Sequence, residues 1–186
     1  MSWKQKLPNY LTYSRIFFAI PITVLLFYPD FACRFAAAFL FVVASITDYF
    51  DGYFARRYSV VSAFGKLMDP VGDKILVTAT LIMLVHVQKI HPYLVILLLS
   101  RDLLIGGIRA AAAADQLVIA AQSSGKWKTA LQMVCIPTLI LSLDLFGIPF
   151  TMLAISGLWL SVVLSTISDY KYFAAYQKAQ TKSTPN

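Results

Sequence analysis

Residues 48–73 read D-Y-F-D-G-Y-F-A-R-R-Y-S-V-V-S-A-F-G-K-L-M-D-P-V-G-D, and the rest of the chain is organised around them. The stretch holds four of the nine acidic residues in the protein, namely Asp48, Asp51, Asp69 and Asp73. Long apolar runs lie on both sides of it. Because a carboxylate near hydrocarbon is unfavourable without a partner, this concentration of acids predicts a functional site.

The composition indicates a membrane protein. Of the 186 residues, 59% are hydrophobic and only 13% are charged. A helix that crosses a bilayer needs about 20 mainly apolar residues. We predict one all-α polytopic membrane domain over residues 1–186, with six transmembrane helices and a short interfacial helix over residues 2–8. The predicted spans lie at about Tyr10–Phe27, Arg34–Arg57, Gly65–Val87, Tyr93–Ala114, Thr129–Leu145 and Phe150–Ile167.

The distribution of basic residues predicts the orientation. The formal net charge is +7, yet the cations collect at the ends of spans instead of along one soluble face. This pattern favours membrane lipids as partners and argues against nucleic acid. One side of the predicted bundle has only Arg34 and Lys89. The other side, which we therefore expect to face the cytoplasm with both termini, has Lys4, Lys6, Arg15, Arg56, Arg57, Lys66, Lys126, Lys128, Lys171, Lys178 and Lys182.

The spacing of the aspartates predicts that they meet. Asp48 and Asp51, like Asp69 and Asp73, are separated by about one helical turn, so each pair lies on one helix face. The two pairs are equally far from the connector between their helices, roughly 10–20 Å at 1.5 Å per residue. An antiparallel hairpin therefore brings four carboxylates together. Oxygen ligands without His or Cys suit Mg²⁺, Mn²⁺ or Ca²⁺, and two ions match four acids.

Two other interpretations of the aspartates remain open. They would be purely structural if each one paired with a nearby cation, namely Arg56, Arg57, Lys66 or Lys74. They would belong to a cation transporter if the chain carried ions across the membrane, although transporters usually place acids on several spans near the midplane. Three neighbours favour a diphosphate site. Gly52 and Gly65 let a ligand approach the helix backbone, and Arg56 is suited to bind phosphate.

The complete pattern, D-x-x-D-G-x-x-A-R-x(8)-G-x-x-x-D-x-x-x-D, resembles the signature of the CDP-alcohol phosphatidyltransferase family. Such enzymes use an alcohol hydroxyl to displace CMP from a CDP-linked lipid, here CDP-diacylglycerol. The resemblance implies that all four aspartates bind metal, two Mg²⁺ ions with Mn²⁺ as the alternative, and that Asp73 is also the general base. It implies a homodimer in a bacterial cytoplasmic membrane. It also implies that Gly52, Ala55, Arg56 and Gly65 line the CDP site together with Asp48.

Two predictions concern the substrates themselves. Asn9 and Thr12 are expected either to bind the nucleotide or to cap the first helix. Leu7–Arg15 and Ile119–Met133 resemble the family branch whose acceptor is glycerol 3-phosphate. The stretch R-D-L-L-I-G-G-I-R also fits that branch, except that Glu is expected where Asp102 stands.

The acceptor phosphate is expected to bind a group of cations. The predicted group is Arg101, Arg109, Lys126 and Lys128. A buried arginine needs an anion or an acidic partner, and a dianionic acceptor would meet that need. Alternatively, the lysines only anchor the connector in lipid headgroups, and Arg101 forms a structural pair with Asp102. Phosphatidylglycerol and inositol phosphate remain alternative acceptors.

Overall fold

The structure is a computed structural model that describes the backbone of residues 16–57, 63–114, 124–142 and 149–183. Within these ranges, side chains are described except at residues 48–57, 63–73, 109, 113–114, 124–126, 171 and 178–183. All regular structure in the described ranges is helical, which confirms the all-α prediction. The helices are α1 (Ile16–Leu26), α2 (Phe31–Arg57), α3 (Ala63–His86), α4 (Pro92–Ala114), α5 (Ser124–Leu141) and α6 (Phe150–Ser183).

Local sequence explains where several helices begin and end. The Asp30 carbonyl accepts the first hydrogen bond of α2 from the Arg34 N–H. At the end of α3, Gln88 adopts a left-handed conformation with φ 57°, and the Lys89 N–H donates to the Leu84 carbonyl. This arrangement satisfies carbonyl groups left free at the last turn. Pro92 then starts α4, at a position where its missing N–H is tolerated.

The last two helices differ from their predicted bounds. The fifth span was predicted at about Thr129–Leu145, but α5 covers Ser124–Leu141. The polar residues around Lys126 made the sequence look like a connector, although they lie in helix. The sixth span was predicted to end at Ile167, whereas α6 continues to Ser183. A membrane span must end where the apolar residues end, but a helix can continue into polar residues. The polar segment after Ile167 is therefore able to remain helical.

The core lies where α5 packs against α2 and α6. Smaller contacts join α4 to α6 and α3 to both α4 and α5. Each of the five longest helices contributes fully buried apolar side chains, exemplified by Phe41, Leu84, Leu98, Ile136 and Leu158. At one end of the bundle, Phe27 contacts His86 edge-on with ring centroids 5.3 Å apart. The ends of α1 and α3 therefore lie on the same side.

Apolar side chains also cover the outside of the protein. Phe17, Leu103, Val134 and Met152 are each more than two-thirds exposed. Within the described ranges, Phe150–Gln177 is the stretch that is long and apolar enough to cross a membrane by length and composition. The apolar segments of the other helices are shorter. The count of six spans therefore stays a prediction.

The contact between α5 and α6 is close at Gly157. A Cβ added to Gly157 would lie 2.6 Å from the Cys135 Sγ, whereas a Cβ on Gly107 would meet nothing within 4 Å. Cys135 is buried, with 6% of its surface exposed. The absence of a side chain at Gly157 therefore allows these two helices to pack together.

Gly157→Ala is expected to destabilise the protein by about 1–3 kcal/mol relative to Gly107→Ala, because overpacking forces side chains or backbone to shift. Both changes gain the same intrinsic helix propensity, so their difference isolates the clash. Thermal unfolding of detergent-purified protein measures it. Adding Cys135→Ala should restore most of the loss. Equal unfolding temperatures for the two glycine variants would show that the helices do not pack this closely.

Candidate functional site

The predicted catalytic aspartates lie on α2 and α3. Asp48 and Asp51 are in α2, and Asp69 and Asp73 are in α3. Because both segments are helical, the two aspartates of each pair, three or four residues apart, lie on one face of their helix. The side chains of residues 48–73 lie outside the described residues, as do Asn9 and Thr12. Among the described side chains no group of three or more His, Cys, Asp or Glu gathers as a metal site. The metal and nucleotide assignments therefore stay predictions.

Arg101 of α4 is held by Asp169 of α6. Its Nη2 donates to Asp169 Oδ1 at 2.6 Å, and its Nε donates to Asp169 Oδ2. Nη2 also donates to the Ser165 carbonyl at 3.3 Å. Both side chains are mostly buried, with 16% exposure each. Two parallel hydrogen bonds between a guanidinium and a carboxylate fix orientation as well as charge, so α4 and α6 are joined in one register.

Asp102 connects this pair to α5. Its Oδ1 accepts from Arg101 Nη1 at 2.7 Å and also from Lys128 Nζ. The predicted alternative of an Arg101–Asp102 pair is therefore present, and it is part of a larger cluster. Lys128 is buried, with 8% of its surface exposed. The alternative that it merely anchors in lipid headgroups is wrong for this lysine.

Lys74 of α3 reaches the same place from another helix. Its Nζ donates to the Asp102 carbonyl at 2.7 Å. This approach passes Gly106, where an added Cβ would lie 3.0 Å from the Lys74 Nζ. Gly106 therefore leaves the space that the ammonium group occupies. Four helices now meet at one cluster, which we define as Lys74, Arg101, Asp102, Lys128 and Asp169.

The cluster carries an excess of positive charge. Three cations face two carboxylates, which leaves a formal charge of +1 among these described side chains. Two further buried polar atoms lie one helical turn from residues of this region. Gln132 Nε2 is four residues from Lys128 on α5, and Ser161 Oγ is four residues from Ser165 on α6. Neither atom has a hydrogen-bond partner within the described part of the chain. Buried cations and unpaired polar atoms are together typical of a site for a polar, anionic ligand.

Comparison with known proteins decides the family. The family profile described as CDP-alcohol phosphatidyltransferase matches residues 5–167, which include α1 to α5 and the first part of α6. The chain belongs to this family. The family resemblance predicted from residues 48–73 is therefore confirmed, and so is the prediction of a phosphatidyltransferase enzyme. CDP-alcohol phosphatidyltransferases are membrane-associated and depend in general on divalent metal.

Several curated relatives are similar over almost the whole chain. A protein from Rickettsia bellii is 40% identical over 182 residues, covering 96% of this chain and 99% of its own. One from Rickettsia typhi is 42% identical, covering 92% and 97%. One from Bacillus subtilis is 36% identical, covering 90% and 93%. All three are named CDP-diacylglycerol–glycerol-3-phosphate 3-phosphatidyltransferase. These names agree with the acceptor predicted from the sequence.

The structure brings together two of the four predicted acceptor residues of this phosphatidyltransferase. Arg101 and Lys128 meet through Asp102. Arg109 lies in α4 and Lys126 in α5, and their side chains are outside the described residues. The acceptor assignment for all four residues therefore stays a prediction.

Sequence reasoning missed Asp169 and Lys74 as members of the cluster. Asp169 lies beyond the sixth predicted span, which ends at Ile167, so no role was predicted for it. The burial of Arg101 was an available signal, since a buried arginine requires an acidic partner at the same depth in the helix bundle. Finding that acid required knowing that α6 packs against α4. Lys74 was considered only as a partner for the aspartates beside it.

Proposed function

We propose that this CDP-alcohol phosphatidyltransferase transfers the phosphatidyl group of CDP-diacylglycerol to sn-glycerol 3-phosphate, giving phosphatidylglycerophosphate and CMP. One observation carries the proposal: relatives named for this reaction match 90–96% of the chain at 36–42% identity. The intact signature on α2 and α3 supports the chemistry. The buried cation cluster supports an anionic acceptor.

The metal site is assigned to four carboxylates. Asp48, Asp51, Asp69 and Asp73 offer only hard oxygen ligands, and α2 and α3 present them in helical pairs. This donor set fits two Mg²⁺ ions, with Mn²⁺ as a substitute. When bound, the ions neutralise charge on the diphosphate and on the leaving CMP. Gly52, Ala55, Arg56 and Gly65, with Asn9 and Thr12, are assigned to the CDP part.

Asp73 is assigned the proton transfer. The acceptor hydroxyl oxygen forms a bond to the phosphorus that carries the diacylglycerol, and its proton passes to the Asp73 carboxylate. The bond between that phosphorus and the bridging oxygen breaks, and CMP leaves with the electron pair. Transfer of this kind depends mainly on positioning and charge, so the protein must hold both substrates in line.

The acceptor phosphate is assigned to Arg101, Arg109, Lys126 and Lys128. Arg101 and Lys128 are mostly buried, and the cluster that they form with Lys74, Asp102 and Asp169 has a formal charge of +1, which suits the dianion of glycerol 3-phosphate. An uncharged alcohol would leave the excess cation without a counter-ion. The acceptors phosphatidylglycerol and inositol phosphate also carry phosphate, so the choice among the three requires direct measurement.

The membrane arrangement is part of the proposal. Six spans form a single domain over residues 1–186, with the active site and both termini facing the cytoplasm. Exposed apolar side chains on every described helix support contact with lipid. A homodimer in a bacterial cytoplasmic membrane is the arrangement that the family resemblance implies, and the three relatives described above are bacterial.

CMP release from purified protein and CDP-diacylglycerol tests the acceptor. The proposal predicts release with glycerol 3-phosphate and little release with phosphatidylglycerol, inositol phosphate or no acceptor. If CMP appeared only with phosphatidylglycerol or inositol phosphate, the acceptor assignment would be wrong and the family assignment would remain.

Removal of divalent metal is expected to stop the reaction. In EDTA, CMP release should fall to background, because the coupled aspartates then repel one another and the diphosphate loses its counter-ions. Addition of Mg²⁺ in excess of the chelator should restore the rate, and Mn²⁺ should restore part of it. Unchanged CMP release in EDTA would contradict the metal assignment.

A further inference from the structure

We propose that Lys74 binds the phosphate of the acceptor and so positions the acceptor hydroxyl at the metal site. The inference rests on the proposed function and adds a residue to its acceptor site. Its basis is the geometry of the cluster, in which each cation has a different set of partners.

Arg101 is largely occupied by the protein. An arginine has five N–H donors. Four hydrogen bonds lead from its guanidinium to Asp169, Asp102 and the Ser165 carbonyl. At most one N–H remains for a ligand. Arg101 therefore serves chiefly to fix α4 against α6 and to orient Asp102.

Lys128 is paired as well, since it donates to the Asp102 carboxylate. Lys74 differs from both. Among the described groups its hydrogen-bond partner is a main-chain carbonyl, which has no formal charge. Within the described residues, two of its three N–H donors have no partner and remain for another group. The uncompensated charge of the described cluster thus falls on Lys74.

The position of Lys74 next to Asp73 agrees with the size of the acceptor. Lys74 follows Asp73 directly in α3, and neighbouring residues on a helix point about 100° apart. Lys74 points toward α4, as its contact with the Asp102 carbonyl shows. The acceptor must place a hydroxyl at Asp73 and hold a phosphate three carbons away. Lys74 is the residue after Asp73, and Lys128 lies on a neighbouring helix. Cations in these positions suit the phosphate of so short a molecule.

Gly106 makes this placement possible and provides a test that leaves every charge in place. An alanine Cβ at Gly106 would lie 3.0 Å from the Lys74 Nζ, which is the far end of a flexible side chain. The ammonium group would move, while the helices need not. Gly107 is the matched control, because a Cβ there meets nothing within 4 Å.

Steady-state kinetics with purified protein test the proposal in two ways. Lys74→Met should raise the KM for glycerol 3-phosphate by about tenfold or more, the usual effect of losing a hydrogen bond to a charged group. The KM for CDP-diacylglycerol should not change. Lys89→Met, which removes a charge between α3 and α4 away from the cluster, should leave both values unchanged. Lys74→Arg should retain much of the affinity.

Gly106→Ala should also raise the KM for glycerol 3-phosphate without lowering the unfolding temperature, and Gly107→Ala should not. An unchanged KM for glycerol 3-phosphate in both Lys74→Met and Gly106→Ala would overturn the proposal. A rise in the KM for CDP-diacylglycerol instead would assign Lys74 to the diphosphate of the donor and would equally overturn it. If the wild type released no CMP with glycerol 3-phosphate, the proposed function itself would fail.

Discussion

Asp73→Asn is expected to lower the turnover number by about a thousandfold or more, because general-base catalysis alone contributes about 10²–10⁴-fold. The change also removes one negative charge from the proposed metal site. An amide has the size of the carboxylate but accepts no proton at neutral pH. CMP release under saturating concentrations of both substrates measures the effect.

Asp30→Asn is the matched control for that variant. Asp30 precedes α2, is exposed, and lies away from residues 48–73 in the sequence. The same substitution there should leave the turnover number unchanged. Wild-type turnover by a folded Asp73→Asn protein would show that another group takes the proton.

Asp169→Ala is expected to destabilise the protein by about 3–5 kcal/mol, the usual effect of leaving one member of a buried ion pair without its partner. Arg101 would lose both hydrogen bonds to the carboxylate, and the formal charge of the described cluster would rise from +1 to +2. Thermal unfolding in detergent measures the loss.

The double variant Arg101→Met with Asp169→Leu provides the control. Replacing both members of a buried pair with apolar residues is often neutral or stabilising. The double variant should therefore unfold at a higher temperature than Asp169→Ala, even though it has two changes. If Asp169→Ala unfolded at the wild-type temperature, the carboxylate would not join α4 to α6.

The sequence predicted the helices best where the chain has sharp signals at their ends. The fourth span was predicted to begin at Tyr93, directly after a proline, and α4 begins at Pro92. The second span was predicted to end at Arg57, the second of two adjacent arginines, and α2 ends there. The aspartate signature predicted the family because its chemistry depends on residue types at fixed spacing along two helices. That information is local, so no knowledge of packing was needed.

The cluster could be predicted only in part, because it depends on which helices touch. Arg101 was identified as a charge inside an apolar span, and Lys128 as a cation of the connector that follows that span. Asp169 was missed because it is distant in sequence and lies in a polar segment that was not expected to pack. Gly106 was missed because a close approach between Lys74 and α4 leaves no periodic signal in the sequence.

Transfer of label from glycerol 3-phosphate into lipid tests the central claim most directly. Purified protein is incubated with CDP-diacylglycerol, Mg²⁺ and radiolabelled glycerol 3-phosphate, and both CMP and labelled lipid are quantified. We predict that phosphatidylglycerophosphate and CMP form in equal amounts, and that neither forms when one substrate is omitted. CMP release without label entering the lipid would mean that water or another alcohol is the acceptor, and would contradict the account.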